Sequence, residues 1–303
     1  MVWLSGLLPY QQAEQVFTRI GHRHVPATSL WRHTQKHGAR LKKSAEHAQE
    51  RVDITRIMLD DERQDHQHPK GISMDGGMVN IREEGWKEFK AGTIFDITTR
   101  LEYDEETGEP VERVHAVNVG YTAVLGSVET FKPALWALAV AHDVPRAARS
   151  SITADAAAWI WNLAPDYFPD SVQIVDWYHA AEHLAKAAHA LYPDDGDRAQ
   201  QWYHQMQKPL FRGEIWKIIQ SLDEAQLEDH ATYFHNHQRR MQYQQFRTEG
   251  YPIGSGTVES SIKQYKARLT GAGMRWSRIG AERMIVLRSA VLGDNFDELW
   301  DAA

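Results

Sequence analysis

No cysteine occurs among the 303 residues, which excludes disulfides and thiolate metal sites and fits a reducing, cytoplasmic setting. No apolar run approaches the roughly 18 residues that cross a bilayer, so no membrane segment is expected. The opening residues, Met1 to Gln15, have neither a basic n-region nor a small-residue cleavage site, so no signal peptide is expected. With thiolates excluded, a metal has to sit on carboxylates or histidines, and carboxylates favour magnesium or manganese. Positive charge is also in short supply: 34 Lys and Arg face 41 Asp and Glu, a net charge of −7, which argues weakly against nucleic acid.

The distribution of charge argues the other way. Residues 1–50 hold seven Lys/Arg against three acids, and residues 260–290 hold seven against one, leaving an acidic body between two basic segments. The rest of the composition, 42% hydrophobic and 25% charged, is ordinary for a globular chain of one large domain or two smaller ones.

Hydrophobic periodicity and breakers divide the chain. Residues 1–50 read as a helix-turn-helix-like segment. One helix covers Tyr10–Ile20, Gly21 to Pro26 break it, and a second is capped by Thr28 or Ser29 and runs through Leu41. Arg32, Lys36 and Arg40 share a face of that second helix, as a DNA-contacting helix needs; a helical hairpin with a solvated basic face has the same pattern. Residues 51–70 read as a linker helix and connector, and 71–303 as the main domain. Its apolar run Gly71–Gly77 is a first strand ending near Asp75. Runs at Lys90–Tyr103 and Val111–Thr122, joined by a turn at 104–108, are a hairpin. Helix Thr130–His142, strand Ser150–Asp155, helix Ala156–Leu163, strand Val172–Asp176 and helix Trp177–Leu191 follow. The order β-β-β-α-β-α-β-α predicts an α/β fold with a mixed sheet flanked by helices. Residues 193–250 predict an all-α insertion, and a further helix begins near Thr257.

Asp75 and Asp155 are thereby placed at ends of neighbouring strands, where side chains converge and face solvent. Glu259 follows the turn Gly254-Ser255-Gly256 at a helix start. Three such acids can hold two divalent ions for phosphodiester cleavage. Singly, each has an ordinary structural reading: an Asp at a strand end forms turns, and a Glu in a first helical turn complements the helix dipole. Lys263 and Lys266 share Glu259's face. Arg268, Arg275 and Arg278 follow, with Trp276 between them, so these residues are candidate contacts to a DNA backbone or base. The Gly-Ser-Gly turn is neither a nucleophile elbow nor a dinucleotide fingerprint. His179 and His183 lack the Glu spacing of a zinc-protease helix.

Three strings, MDGGMVNIREEGWKEFKAGTIFD from Met74, AAAWIWNLAPDYFPDSVQIVDWYHAAEHL from Ala156 and GYPIGSGTVESSIKQYKARLTGAGMRW from Gly250, resemble DDE transposases of bacterial insertion sequences, the ISKra-type family. The resemblance extends over nearly the whole chain. It implies an RNase H-like catalytic domain, cleavage and strand transfer at element ends, double-stranded DNA as partner, two Mg²⁺ or Mn²⁺ ions, and action as a homo-oligomer. It maps the first Asp onto Asp75 and the Glu onto Glu259. For the second Asp it offers Asp155 or Asp176. Related groups place that Asp on the fourth strand and carry a separate Cys/Asp-x-x-His motif downstream, so Asp155 is the expected ligand and Asp176 with His179 the expected supporting pair. Members usually carry Gly on both sides of the second Asp and a longer N-terminus; here the flanking residues are Ala154 and Ala156. Two other readings stay open: an inactive or truncated DNA-binding remnant of such a transposase, and a cellular RNase H-like nuclease.

Overall fold

A computed structural model describes residues 1–57, 68–103, 108–294 and 296–297. Most of the expected connector (58–67) and of the expected hairpin turn (104–107) lies outside these residues. Three helices come first: α1 (Val2–Leu7), α2 (Tyr10–Arg19) and α3 (Ala27–Ile57). The latter does not stop at Leu41. Between Leu41 and Ile57 there is neither Gly nor Pro, and Ala, Lys, Glu and Gln dominate 42–50, so nothing ends the helix. Its start lies at Ala27, where the Pro26 carbonyl accepts from the Ser29 and Leu30 amides, so no Thr or Ser side chain caps it.

Strands β1 (Lys70–Ile81), β2 (Gly85–Tyr103) and β3 (Pro110–Leu125) form an antiparallel meander. Helix α4 (Val128–Ala141), β4 (Ser150–Ala154), α5 (Ala158–Tyr167), β5 (Val172–Val175) and α6 (Trp177–Leu191) complete the expected alternation. The strand order is β3-β2-β1-β4-β5, with β4 parallel to both β1 and β5, so the sheet is mixed and five-stranded. Residues between α6 and the Gly-Ser-Gly turn form α7 (Gly196–Arg212), α8 (Ile215–Glu224), α9 (Glu228–His237) and α10 (Tyr243–Thr248), without a strand. Helices α11 (Gly256–Leu269) and α12 (Arg278–Leu292) follow.

Because side chains alternate along a strand, each sheet face buries its own core. Ile72, Met74, Ile94, Ile152 and Ile174 pack with Phe131, Leu135, Trp161 and the helices at 193–250. Val79, Ile81, Phe89, Ala91 and Leu125 pack with Val258, Ile262, Tyr265 and Met284 of α11 and α12. Asp75 lies an even number of residues from Val79 and Ile81, so it faces α11. Gly77 shares that face, and the Phe89 ring lies so close that a Cβ on Gly77 would meet it at 2.3 Å. An absent side chain here lets β1 and β2 fit beneath α11.

The N-terminal helices are tied to the C-terminal ones. Leu30, Thr34, Gly38 and Leu41 form the buried stripe of α3, and a Cβ on Gly38 would meet Arg283 at 3.0 Å. Lys42 pairs with Glu282 at 2.6 Å. Arg288 donates to the Gly6 carbonyl at 3.1 Å. At the opposite end of β1, the buried Lys70 ammonium meets Asp96 at 2.8 Å, and Asn118 donates to the second Asp96 oxygen at 2.6 Å. This network sits where β2 is irregular between Ile94 and Asp96, and Asn118 adopts a left-handed φ of 51°.

Candidate metal centre

The sheet register brings the aspartates together. Strand β1 pairs with β4 from Lys70↔Ser150 to Ile72↔Ile152, and β4 pairs with β5 up to Ala154↔Val175. Continuing that register puts Asp75, Asp155 and Asp176 at one level across three neighbouring strands. The sequence expectation that Asp75 ends its strand needs correcting: β1 runs on to Ile81 because its pairing with β2 continues to Gly85. What ends near Asp75 is its cover by β4, and that opens one side of the carboxylate.

Each acid is held by its own backbone. Asp75 Oδ1 accepts from the Gly76 amide at 2.6 Å. Asp155 Oδ1 accepts from the Ala157 amide at 2.9 Å, a local turn just beyond β4. Both carboxylates are half-buried. Burial pushes the Asp75 carboxyl above its ordinary range; the Gly76 hydrogen bond opposes this, and the neighbouring Asp155 charge adds to it. The methyl of Ala154 is absorbed into the core below the sheet, so the residue before Asp155 does not crowd the carboxylates.

Asp176 differs. It is fully buried and caps α6: Oδ1 accepts from the His179 amide at 2.9 Å and lies 3.2 Å from the His179 ring Nδ1. Its Oδ2 accepts from the Ser255 amide. These hydrogen bonds outweigh burial and hold its carboxyl below the usual range. Ser255 also donates through Oγ to Glu259 Oε1 at 3.2 Å. The loop before Ser255 is pinned to the sheet edge, since Trp177 N–H donates to Ile253 O at 2.8 Å and Thr153 Oγ1 to Pro252 O at 2.9 Å. Helix α11 is tied to β2 by Thr93 and Thr257, whose hydroxyls lie 3.1 Å apart.

Among the described residues, Asp176, His179 and Glu259 form a group whose ligand atoms lie within 4.8 Å of one another, and this partly buried cluster can hold a metal ion. His179 is central to it. Its hydrogen bond to Asp176, and the charges of Asp176, Asp155 and Glu259, raise its imidazole to about 9. An ion bound among the same carboxylates would take over the compensating role of that proton. With Nδ1 on a carboxylate, Nε2 is left to face a ligand. The donor set of carboxylates and imidazole, with no sulfur, fits a divalent cation. The expected trio Asp75, Asp155 and Glu259 is not such a compact group, and carboxylates with no cation between them repel one another.

The basic residues divide. Arg32, Lys36 and Arg40 are exposed on α3, and Lys263, Lys266 and Arg275 are exposed near α11; Lys266 lies close enough to lower the Asp75 carboxyl slightly. Arg278 is exposed but forms a two-pronged ion pair with Glu84. Arg268 and Trp276 do not face solvent as expected. The guanidinium of Arg268 is sandwiched between Tyr10 and Trp276, at 4.9 and 5.1 Å, and donates to Ser5 O at 2.7 Å. Trp276 donates its indole N–H to Leu269 O. Arg268 is turned toward α1 and α2, and Trp276 is held against the end of β1 by its pairing with Ile81.

Sequence reasoning missed Ser255, the residue that joins Asp176 to Glu259; its setting between two glycines was the available signal. It also missed the aromatic wall from α9. His183 stacks on Tyr233 with centroids 3.6 Å apart and meets His230 at 3.3 Å. Burial, with His230, Lys186 and His237 nearby, depresses His183 to about 4; burial and Arg240 depress His237 to about 4. Both are neutral in the fold, whereas in the unfolded chain they titrate near 6.5. Between those values the unfolded chain binds the extra protons, so stability should fall as pH drops from about 6.5 to 4, by about 1 kcal/mol per histidine after solvent screening. Melting curves across that range should show the fall, and a His183→Asn/His237→Asn variant should flatten it. An unaltered slope in the variant would refute the assignment.

No protein-family model and no curated protein matches this chain.

Proposed function

We propose that this chain is a DDE-type transposase with an RNase H-like catalytic core, interrupted by the helices of 193–250, which cuts and joins DNA at insertion-sequence ends. What supports the reading is the sheet register that sets Asp75, Asp155 and Asp176 side by side on β1, β4 and β5, together with α11, which brings Glu259 to Asp176 and His179. Two Mg²⁺ or Mn²⁺ ions held there would activate the attacking oxygen and stabilise the leaving one. Asp75, Asp155 and Glu259 each keep one carboxylate oxygen outside the hydrogen bonds described above and serve as ligands. Asp176 and His179 brace them: Asp176 fixes the His179 ring and, through Ser255, the start of α11. Lys266, near Asp75, and Lys263, on the same face of α11 as Glu259, offset the repulsion between this acidic centre and a phosphate backbone, and Arg275 extends the basic surface beyond α11.

The test is cleavage of DNA from either side of the gene, where a transposase of this kind should have terminal inverted repeats. Cleavage should require Mg²⁺ or Mn²⁺, stop with EDTA, and depend on the repeats. Binding without cleavage would point to an inactive remnant, and repeat-independent cleavage to a cellular nuclease.

DNA affinity should draw on α3. Arg32, Lys36 and Arg40 lie on one exposed face, so replacing all three with Ala should weaken duplex binding and flatten its log–log salt dependence by up to about one unit per lost phosphate contact. An unchanged slope would remove α3 from the interface.

A further inference from the structure

A cavity of about 410 Å³ opens between the N-terminal helices and the segment joining α11 to α12. It lies apart from the acid cluster and contains none of its residues. Its walls include Tyr10, Trp31, Gln35, Arg82, Arg268 and Arg275, and among the described residues no Asp or Glu lines it. Arg268 is 1% exposed, and its Nη2 has no hydrogen-bond partner. The Tyr10 hydroxyl and Gln35 Nε2 are likewise buried and unpartnered; the hydroxyl lies near Thr34, Gln35 and Arg268 without hydrogen-bonding geometry to any of them. Three buried polar groups without partners, bordering one cavity, are costly unless something else satisfies them. The Arg268 guanidinium, 1% exposed, meets two rings, the Ser5 carbonyl and the neighbouring Tyr10 hydroxyl, and its Nη2 still lacks an acceptor, which asks for an anion or a strong acceptor. Arg82 and Arg275 are exposed and add positive charge, and Trp31, 50% exposed, lines the cavity.

Cationic and donor groups in the wall, an indole beside them and no acid among the described residues are the recognition chemistry of a nucleotide: acceptors of the base or phosphate meet guanidinium and amide, and the base stacks on indole. The volume suits one such unit. We propose that this cavity captures a single unpaired nucleotide of a DNA strand, holding an end that has left the duplex while the acid cluster acts elsewhere. This inference rests on the DNA-processing reading above.

The experiment uses the full chain in EDTA, so that binding is separated from cleavage. A 12-nucleotide single strand, a blunt duplex and free dGMP are titrated against wild type, Trp31→Ala, Trp31→Phe and Gln35→Ala. Trp31→Ala and Gln35→Ala should each weaken single-strand binding about tenfold and duplex binding less than twofold, with Trp31→Phe restoring most of the loss. A 2-aminopurine in the strand should be quenched by wild type and not by Trp31→Ala. Equal losses on strand and duplex, or no loss on either, would overturn the proposal while leaving the DNA-processing reading intact. Binding of free dGMP as tight as that of the strand would assign the cavity to a mononucleotide and overturn it as well. Failure of wild type to bind either DNA would instead bring down the functional reading.

Discussion

Asp155→Asn should abolish Mg²⁺- or Mn²⁺-dependent DNA cleavage while the protein remains folded. Asn keeps the carbonyl oxygen that accepts from the Ala157 amide, so the turn after β4 survives. What disappears is the charge. Asp155 and Asp75 are close enough for one to raise the other's carboxyl, so stability should change by less than about 0.5 kcal/mol, or rise slightly, once that repulsion is relieved. The cleavage rate should drop roughly 10³-fold or more, equivalent to about 4 kcal/mol of transition-state stabilisation. Asp75→Asn should behave similarly, because its Oδ1 is likewise held by a local amide. The measurement pairs single-turnover cleavage with a melting curve on the same preparation. Cleavage surviving in Asp155→Asn would remove Asp155 from the ligand set.

How far the residues announce this arrangement depends on range. The order of strands and helices from residue 71 onward is legible because each element carries its own periodicity; α6 begins at Trp177 and ends at Leu191 as its pattern predicts. The fate of Asp75 is not, since the length of β1 is set by its pairing with β2 and not by its own apolar run. Likewise, the Arg and Trp residues after Glu259 read as one basic, aromatic face. Arg268 is buried because α1 and α2 pack over it, its bond to the Ser5 carbonyl spanning 263 residues, and Trp276 because it pairs back onto β1 at Ile81. Asp176 and His179 are visible as a three-residue spacing. Their link to Glu259 runs through Ser255, whose amide and hydroxyl reach two acids 83 residues apart, and no local pattern encodes such a bridge.

Asp176 is where fold and site are joined most tightly, and its replacement should cost the most stability. It is fully buried, caps α6 and accepts from two backbone amides and one imidazole. Asp176→Ala removes the cap, the bond from the His179 amide, worth about 0.5–2 kcal/mol, and leaves the Ser255 amide without an acceptor, costing about 1–3 kcal/mol where water cannot enter. A total of about 2–5 kcal/mol should lower the melting temperature by about 5–10 °C. Asp176→Asn should do less damage: one oxygen still serves a donor, but its NH₂ must face another. Cleavage by this variant at low temperature should be reduced and not abolished, because Glu259 would lose orientation and keep its charge. That separates the two aspartates by opposite signatures: Asp155→Asn stable and inactive, Asp176→Asn unstable and partly active. Should Asp176→Asn melt like wild type and show no cleavage, Asp176 is the metal ligand, and Asp155 takes the supporting role.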